Sequence, residues 1–578
     1  MHTITGDRDP RTNPAGLGAR VVVLFAAGAL LVGLAAPAVT AQGAEPSGTS
    51  DPSGTSDPSG TSDPSESLDA TSAFAHGSAL EGQAVLRLEA QPGRHDEAGA
   101  SFEAPNGAAT LRLDANADAR GQIRVNGRTV GAATAALARG EGEVDLSDAV
   151  EAGTNELEVR LVRGRADVSV DHPVLVDAEP AEAGVDPDAL AAIDDTLAEY
   201  AGREEDSLFA GAVALVAHEG QVVHESAVGD AEAFARGEDV VEPIDESRAM
   251  TTDTVFDQAS ITKVAATTAA VMQLVEEGVL DLDDPLSAHL DRFDGAKGDI
   301  TLRQMLTHRS GLRPWQPTWM HGTGADEVLD YLADLDPQAA PGESYAYSDL
   351  GFMLLAAVVE SATDIPFDEH VRERVHEPLG MADTRYLPAE DGGPFAATSH
   401  GNPYEHGMVE HEWPYAIIGD VDPGDFDGWR EYTLAGEVND GNAWYGWEGV
   451  AGHAGLFATA RDLARFGQTM LNEGGYGDAT LAGPDTVEAF LDTPFDAGQA
   501  HGFQTGELSG GGYGHGGFTG TEFAFDPEHD LVVVLLTNRQ HRGTERPWDL
   551  HPIDIYPAIT PAWNDVQGHA LEAVGAEG

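Results

Sequence analysis

The stretch of sequence that decides the fold is Phe256-Asp257-Gln258-Ala259-Ser260-Ile261-Thr262-Lys263. After Lys263, apolar residues follow at helical spacing as far as Val275, and Gly278 is a typical helix stop. This spacing predicts that Ser260 lies in the first turn of a helix and that Lys263 lies on the same face. A serine hydroxyl is a weak nucleophile until a neighbour takes its proton, and a neutral amine at hydrogen-bond distance can do so.

The lysine count supports a chemical role for this pair. Lys and Arg together number 31, but Lys263 and Lys297 are the only two lysines in the sequence. Arg cannot replace a basic amine, because a guanidinium does not lose its proton in proteins. The alternative is that Ser260 is only a helix N-cap and Lys263 an ordinary helix residue.

The composition excludes several functional classes. The 578 residues include 99 Asp plus Glu and carry a formal charge of -68, so the chain would repel a nucleic acid. The absence of Cys excludes disulfide scaffolds, thiolate metal sites and cysteine nucleophiles. Such an acidic, lysine-poor chain would stay soluble in high salt, which favours a halophilic source. The alternative explanation for the preference for Arg over Lys is a GC-rich coding sequence.

The N-terminus has the pattern of an export signal. Basic residues precede an unbroken apolar stretch from Val21 to Ala36, and the small-residue sequence Val39-Thr40-Ala41 follows. We therefore expect a cleaved signal peptide over residues 1–41 and a secreted or cell-envelope protein without stable membrane insertion; an uncleaved anchor is the alternative. Residues 42–70 are rich in Pro, Ser, Gly, Thr and Asp, and we expect them to form a disordered linker.

Residues 71–178 predict a small β domain. Apolar residues alternate in short runs such as Leu157-Glu158-Val159-Arg160-Leu161, and Asn126-Gly127 is a strong hairpin signal. The run from Val144 to Leu157 resembles the late strands of galactose-binding-like jelly-roll modules. The resemblance implies a β-sandwich that binds sugar, but the segment is poor in the aromatic residues that form sugar platforms, which favours a structural role.

Residues 180–570 predict a second, larger domain. Asp186-Pro187 opens an amphipathic helix, and residues 211–217 form a continuous apolar run typical of a buried strand. A turn at Glu219-Gly220 would pair the next strand back against it. Residues 531–536 predict another buried strand late in the chain.

Two further motifs complete a pattern. Tyr347-Ser348-Asp349 precedes an apolar helix, and Gly514-His515-Gly516-Gly517-Phe518 precedes paired strands. Together with Ser260 and Lys263, their order and spacing are similar to the three motifs of the serine β-lactamase and penicillin-binding-protein superfamily. The resemblance is strongest to its class C-related branch, which includes low-molecular-mass penicillin-binding proteins, D-aminopeptidases and esterases. Within this branch, residues 401–406 and 436–442 resemble a periplasmic esterase or low-molecular-mass penicillin-binding-protein subgroup. It implies an α/β (α+β) fold in which helices flank an antiparallel sheet, with an all-helical subdomain.

The resemblance also implies roles for individual residues. Ser260 would be the acyl-accepting nucleophile, Lys263 its base, and Tyr347 the relay that passes the proton to the leaving group. The oxyanion would bind the backbone N–H groups of Ser260 and of Phe518 on a sheet-edge strand, beside Gly517. His515 would complete the catalytic set. Neither a cofactor nor a metal is implied.

Two positions depart from the family pattern. Asp349 stands where Asn is commonest, which replaces an amide donor to the substrate by a carboxylate; its alternative role, or that of Ser348, is to cap the next helix. His515 stands where β-lactamases have Lys, and Gly516 where they have Thr or Ser. This weakens recognition of an anionic β-lactam and favours a small ester or peptide, such as a peptidoglycan stem peptide.

Other histidines and aromatic residues have less specific interpretations. The spacing of His400, His406, Glu410 and His411 matches no metal-ligand template. His453 in a Gly-rich turn is interpreted as structural. A crowd of Trp and Tyr between residues 404 and 447 either walls the substrate cleft or forms a satellite core.

The sequence thus predicts a secreted serine hydrolase that acts through an acyl-enzyme on an ester or amide. Esterase, D-alanyl-D-alanine carboxypeptidase and D-aminopeptidase activities all fit. The alternative is a cell-surface protein that binds glycan or peptidoglycan and has a weakly active or penicillin-binding-only hydrolase domain. The residues leave the oligomeric state open.

Overall fold

The computed structural model describes residues 82–90, 94–104, 107–204, 206–238, 240–388, 393–496, 498–542 and 546–576. The predicted signal peptide and linker lie outside these residues.

The first part of the described chain is a β module with its own hydrophobic core. One long strand, of 18 residues, pairs with four others along its length. The module contains β1 (Ala84–Ala90), β2 (Asp96–Ala104), β3 (Thr110–Ala115), β4 (Arg120–Val125), β5 (Arg128–Thr129), α1 (Gly131–Arg139), β6 (Glu141–Asp145) and the long β7 (Gly153–Val170).

Strand β7 changes partners near Gly164. Its first part pairs with β2 and β4, and its last part with β1 and β3. Gly164 has φ 91°, and a Cβ there would lie 2.4 Å from the Asn116 side chain, so only Gly fits this turn of the strand. Asn126 and Gly127 have φ of 51° and 72° and join β4 to β5, which confirms the predicted hairpin. The galactose-binding-like assignment stays a prediction.

The larger part of the chain is built on a second sheet with small two-stranded pairs beside it. Its strands are β8 (Val176–Asp177), β9 (Gly211–His218), β10 (Gln221–Arg236), β11 (Val241–Ala249), β12 (Phe256–Asp257), β13 (Ala397–His400), β14 (Thr433–Ala435), β15 (Phe457–Ala458), β16 (Gly475–Tyr476), β17 (Ala479–Thr480), β18 (Gln504–Leu508), β19 (Gly511–Gly517), β20 (Thr521–Asp526) and β21 (Leu531–Thr537).

The main sheet has the order β11-β10-β9-β21-β20-β19-β18, in which all neighbours are antiparallel, and β8 joins β10 in parallel. The central strands are apolar throughout because both of their faces are covered. On β9, Val213 and Leu215 join a core with α3, α7 and α10, whereas Ala214 and Val216 join a core with α2 and α13. The continuous apolar runs predicted as buried strands are therefore confirmed.

Helices cover both faces of this sheet and fill the long insertion between β11 and β18. They are α2 (Pro187–Tyr200), α3 (Ala269–Glu276), α4 (Gly295–Gly298), α5 (Leu302–Leu306), α6 (Ala325–Asp334), α7 (Asp349–Thr363), α8 (Phe367–Val371), α9 (Pro403–His411), α10 (Ala460–Leu471), α11 (Pro484–Leu491), α12 (Pro552–Ile555) and α13 (Thr560–Ala573).

The antiparallel sheet with flanking helices confirms the predicted fold class. The insertion is mainly helical but also contains the pairs β12–β15, β13–β14 and β16–β17. Asp186 caps α2 as expected, accepting a hydrogen bond from the Asp188 N–H at 2.9 Å. Within the described residues, no single helix is long and apolar enough to span a membrane; the bent pair Asp349–Thr363 and Phe367–His376 meets that length and composition test only when taken together.

The β module contacts the larger part of the chain through the β16–β17 hairpin. The His172 N–H donates to the Gly477 carbonyl at 2.7 Å, and the Leu175 N–H donates to the Tyr476 hydroxyl at 3.0 Å. The His172 ring packs so closely on Gly475 that a Cβ there would lie 2.2 Å from it. The contact leaves no room for a side chain at this position.

Candidate active site

The backbone before Ser260 is held in an uncommon conformation. Ala259 has φ 45°, which a residue with a Cβ adopts at a cost in energy. The buried Asp257 carboxylate accepts the Ala259 N–H at 2.9 Å and the Asn439 N–H at 2.6 Å, which fixes this turn. Burial raises the pKa of Asp257 to about 6. The strained turn exposes Ser260 at the end of β12.

The helix predicted after Ser260 is present, but its first turns are not α-helical. Residues Ala259–Ile261 form a 3₁₀ turn, Lys263–Thr268 form a π-helix, and α3 continues from Ala269. Ser260 lies in the first turn, as the sequence predicts. A π-helical turn is rare and often marks a functional site.

Lys263 is fully buried and has three partners. Its Nζ lies 3.0 Å from Ser260 Oγ, 2.7 Å from Asp349 Oδ1 and 3.1 Å from the His453 carbonyl. Burial alone would lower the pKa of Lys263, but the charge of Asp349 and the nearby Tyr347 raise it above the ordinary lysine value. The resting side chain is therefore an ammonium, which must lose a proton before it can act as the predicted base.

Tyr347 lies beside the ammonium group. Its ring centroid is 4.9 Å from Lys263 Nζ, 4.4 Å from the His308 ring and 5.9 Å from the His515 ring. Its hydroxyl is buried and interacts with both Lys263 and Ser260. Burial raises the pKa of Tyr347, although Lys263 and Ser260 oppose this shift, so the phenol is protonated at neutral pH.

Ser348 and Asp349 have separate roles. Ser348 caps α7, since its hydroxyl accepts the Gly351 N–H at 3.3 Å and donates to the Arg313 carbonyl at 2.7 Å. Asp349 instead lies against Lys263, with a side chain only 19% exposed. The cap predicted for one of these two residues is therefore Ser348, and the ion pair of Asp349 was not predicted.

His515 lies on β19 and is buried. Its Nδ1 lies 2.7 Å from the Gly516 carbonyl, and its Nε2 has no partner among the described residues. Burial, and secondarily the charge of Lys263, lowers the pKa of His515 to about 3. This ring is therefore neutral and supplies no positive charge where related β-lactamases have Lys.

Gly517 and Phe518 bring β19 against the nucleophile segment. A Cβ on Gly517 would lie 2.6 Å from the Gln258 carbonyl oxygen, so only Gly permits this approach. Phe518 directly follows β19, which ends at Gly517, whereas it was predicted from the sequence to lie on the strand. The reason is that the chain must turn here into β20. Strand β18 pairs with β19 only from Gly511 to Gly514, so the end of β19 beside Phe518 has no described strand on its outer side. The role of the Phe518 N–H as an oxyanion donor stays a prediction.

A cavity of about 80 Å³ opens at Ser260. Aromatic and apolar side chains form much of its wall: Trp315, Tyr404, Met408, Pro414, Tyr415 and Phe518. Several of these residues also belong to a separate cluster of packed aromatic rings that includes Trp319, Trp429 and Tyr445. The Trp and Tyr residues between 404 and 447 were predicted either to wall the substrate cleft or to form a satellite core. Both predictions hold, because one edge of the satellite core is the cavity wall.

Polar residues that were not predicted from the sequence as site residues complete the cavity. Asp440, Glu405 and Asn439 line it, and so does His453, which was interpreted as structural. His453 Nε2 lies 2.9 Å from Asp440 Oδ1, and its carbonyl binds Lys263. The available signal was the concentration of polar residues in Gly-rich runs. Local spacing cannot show that such loops converge.

The histidines discounted as metal ligands do not form a cluster. His400 contacts Thr433 at 2.9 Å, His406 lies 3.7 Å from Glu410, and His411 stacks on His551. Within the part of the chain that the structure describes, no group of three or more His, Cys, Asp or Glu side chains could hold a metal ion.

Comparison with known proteins identifies the family. The family model named Beta-lactamase matches residues 193–554. The chain belongs to the beta-lactamase family. As a member of this family with Ser260 and Lys263 in contact, it is a serine hydrolase of the β-lactamase and penicillin-binding-protein type.

Two bacterial proteins are similar in sequence to this β-lactamase-family chain. An N-acetylmuramyl-L-alanine amidase of Bacillus subtilis (strain 168) is 33% identical over 362 residues, which are 58% of this chain and 78% of the relative. An Escherichia coli (strain K12) protein with the provisional name D-alanyl-D-alanine carboxypeptidase is 32% identical over 405 residues, 65% of this chain and 88% of the relative.

Some solved structures show a more distant similarity. A penicillin-binding protein homologue from Caulobacter crescentus is 20% identical, covers 68% of this chain and 99% of its own, and gives a TM-score of 0.48. A D-amino acid amidase from Ochrobactrum anthropi SV3 is also 20% identical, with coverage of 66% and 99% and a TM-score of 0.48.

Proposed function

We propose that this protein is an exported serine hydrolase that cleaves an amide or ester bond through an acyl-enzyme on Ser260. One observation carries the proposal: Lys263 Nζ lies 3.0 Å from Ser260 Oγ in a buried site that opens to a cavity. A serine with a basic partner at this distance is the arrangement that nucleophilic catalysis requires.

The proposed reaction has two halves. Ser260 Oγ bonds to the substrate carbonyl carbon, and its proton passes to Lys263 as the ammonium group gives a proton to Asp349, 2.7 Å away. The C–N or C–O bond then breaks, and the leaving group takes a proton from this network through Tyr347. Water next attacks the acyl-Ser260 ester, which releases the acid and returns the proton to Ser260.

Peptidoglycan fragments are the proposed substrate class. The two relatives bear names of enzymes that cleave amide bonds in such material. The export signal predicted over residues 1–41 would bring the protein to that substrate. The neutral His515 supplies no cation for a carboxylate, which disfavours a β-lactam and favours an ester or an amide that has no negative charge at this position.

A substrate panel tests the proposal. The full chain and Ser260→Ala are assayed on p-nitrophenyl esters, D-alanyl peptides, an N-acetylmuramyl peptide and nitrocefin, with Ser361→Ala as control because Ser361 is exposed on α7. We expect turnover of at least one ester or amide that disappears in Ser260→Ala and persists in Ser361→Ala. Turnover that survives in Ser260→Ala would reject the nucleophile. Binding of glycan without turnover would support the cell-surface binding protein instead.

A further inference from the structure

The amino group of Lys263 is held by the backbone as well as by side chains. Besides its contacts with Ser260 and Asp349, Lys263 Nζ donates to the His453 carbonyl at 3.1 Å. A carbonyl oxygen can only accept, so it holds one N–H of the amino group whether this group is charged or neutral. The position of the His453 carbonyl therefore decides how the rest of the amino group faces Ser260 and Asp349.

This carbonyl belongs to a glycine-rich loop. Residues 449–455 include three glycines, of which Gly449 and Gly455 have φ of 91° and 113°. Glycine loses more conformational freedom on folding than any other residue, so such a loop needs side-chain contacts to fix it. On one side the contact comes from the helix that follows Ser260, where Thr267 Oγ1 donates to the Gly452 carbonyl at 2.6 Å.

On the other side the loop is held through the His453 ring. His453 is 1% exposed, and its Nε2 lies 2.9 Å from Asp440 Oδ1. Burial would raise the pKa of Asp440, but the contacts with His453 and with the Ala443 N–H lower it below the ordinary carboxyl value. The ionised carboxylate can only accept, so His453 Nε2 donates to it. This bond fixes the ring, and with it the carbonyl of the same residue.

Asp440 is itself held in place by buried carboxyl groups on both sides of it. The Asn439 N–H donates to Asp257 at 2.6 Å, and the Gly441 N–H donates to Glu405 at 3.0 Å. Asp257 also fixes the turn before Ser260, so one buried carboxylate connects that turn to the segment that carries Asp440. Asp440 is therefore a fixed anchor for the His453 ring.

We propose that Asp440 is a positioning residue of the active site, which acts through His453 to place the carbonyl that orients Lys263 toward Ser260. The inference rests on the proposed function of Ser260 and Lys263 and adds a residue that acts on this pair from outside it. The role requires a hydrogen-bond acceptor at the position of Oδ1. The amide oxygen of Asn can accept there as well, whereas Ala has no acceptor.

Two substitutions of Asp440 separate the hydrogen bond from the charge. With p-nitrophenyl acetate as substrate, we expect kcat to fall at least about tenfold in Asp440→Ala with KM within about threefold, because the base is displaced. Asp440→Asn should stay within about threefold of wild type in both constants, since it keeps the acceptor. An equal loss of kcat in Asp440→Asn and Asp440→Ala would overturn the positioning role.

Asp526→Ala is the matched control. Asp526 also contacts a histidine, with Oδ2 2.6 Å from His529 Nδ1, and it also accepts a backbone N–H, that of Glu528 at 2.9 Å. It does not line the cavity at Ser260. We expect kcat of Asp526→Ala to stay within about threefold of wild type. A loss as large as that of Asp440→Ala would mean that any such contact affects activity through folding, and would overturn the inference.

Replacement of His453 tests the same contact from its other end and serves also if Asp440→Ala does not fold. His453→Ala keeps the backbone carbonyl but removes the ring that anchors it, so kcat should fall as it does in Asp440→Ala. Because both variants break one bond, the double variant should lie within about threefold of either single variant. Losses that multiply in the double variant would overturn the inference.

A spectroscopic measurement tests the positioning without any turnover. Lysine labelled with carbon-13 at Cε gives two signals, since Lys263 and Lys297 are the two lysines of the chain, and Lys297→Arg assigns them. We expect Asp440→Ala to shift the Lys263 signal and Asp440→Asn to leave it near its wild-type position. The Lys297 signal should stay unchanged in both variants.

The outcomes of this measurement differ from those that concern the proposed function. An unchanged Lys263 signal in Asp440→Ala would overturn the positioning role while leaving the hydrolase intact. An equal shift at Lys297 would show a general disturbance of the fold and would overturn it too. Turnover that survives in Ser260→Ala would overturn the proposed function, whereas the Lys263 signal reports the effect of Asp440 in either case.

Discussion

Lys263 Nζ lies 2.7 Å from Asp349 Oδ1, inside a site where Lys263 is fully buried. This ion pair sets the charge of Lys263, the proposed catalytic base, because Asp349 raises the pKa of Lys263 against the opposite effect of burial. The family pattern has Asn at the position of Asp349. Because of this carboxylate, Lys263 is protonated in the resting site. It must therefore lose a proton before it can accept one from Ser260.

Replacing Asp349 by Asn should move the acidic limb of the pH profile. Without the carboxylate the pKa of Lys263 falls, so the neutral amine is available at lower pH and the acidic limb of kcat/KM shifts downward. The variant should also lose about 3–5 kcal/mol of stability, because a buried ammonium loses its partner. Asp326→Asn, which removes an exposed ion pair to Arg292, is the control. An unchanged limb in Asp349→Asn would contradict this role of the pair.

The two lysines should respond differently to replacement by Arg. Lys263→Arg should lower kcat at least about thousandfold, because a guanidinium cannot accept the Ser260 proton. Lys297 donates to the carbonyls of Leu332, Ala333 and Leu335, which a guanidinium can also do, so Lys297→Arg should stay within about threefold of wild type. Steady-state kinetics of the two purified variants checks this. Comparable losses in both would mean that Lys263 acts only in folding.

Two adjacent glycines on β19, Gly516 and Gly517, should differ in their tolerance of replacement by Ala. A Cβ at Gly517 would meet the Gln258 carbonyl at 2.6 Å, so Gly517→Ala must displace the backbone that carries Ser260. At Gly516 the nearest atoms are those of the Glu522 side chain, which can move. We expect kcat/KM to fall at least about tenfold in Gly517→Ala and less than about threefold in Gly516→Ala. The reverse order would contradict the close approach.

Glu522 should make the folded state less stable as pH rises. Burial, and secondarily the charge of Glu507, raises the pKa of Glu522 from 4.5 to about 8. The folded state holds this proton while the unfolded state loses it above about pH 4.5, so stability falls between about pH 4.5 and pH 8. Glu522→Gln should remove part of this decline, about 1–2 kcal/mol at pH 8, in urea unfolding at both pH values. If the free energy of unfolding fell equally with pH in the wild type and in Glu522→Gln, Glu522 would not be a source of this pH dependence.

The parts of the fold that could be predicted from the sequence are those in which the local pattern of apolar residues matches the faces that are buried. Strand β9 is apolar at every position because helices cover both of its faces, and the hairpin at Asn126-Gly127 follows from the positive φ of both residues. Ser260, Lys263 and Tyr347 were predicted together because their motifs have fixed residue types and order. The structure places Ser260 and Tyr347 beside Lys263, and both line the same cavity.

The remaining parts of the site depend on contacts between distant segments. Asp349 has the sequence context of a helix cap, and only the folded chain shows that it faces Lys263. Glu405, Asp440 and His453 come from three separate segments, so no periodicity links them. The π-helical turn after Ser260 also escaped prediction, because its residues have the same apolar spacing as an α-helix.

Peptide mapping after reaction with a fluorophosphonate tests the acyl-enzyme most directly. The account predicts a single stoichiometric adduct on the peptide that contains Ser260, with loss of activity in proportion to labelling. Labelling should be abolished in Ser260→Ala and strongly slowed in Lys263→Arg, since Lys263 Nζ lies 3.0 Å from the nucleophile. An active enzyme that carries no adduct on Ser260, or that is labelled and inactivated at another serine, would contradict the assignment of Ser260 as the nucleophile.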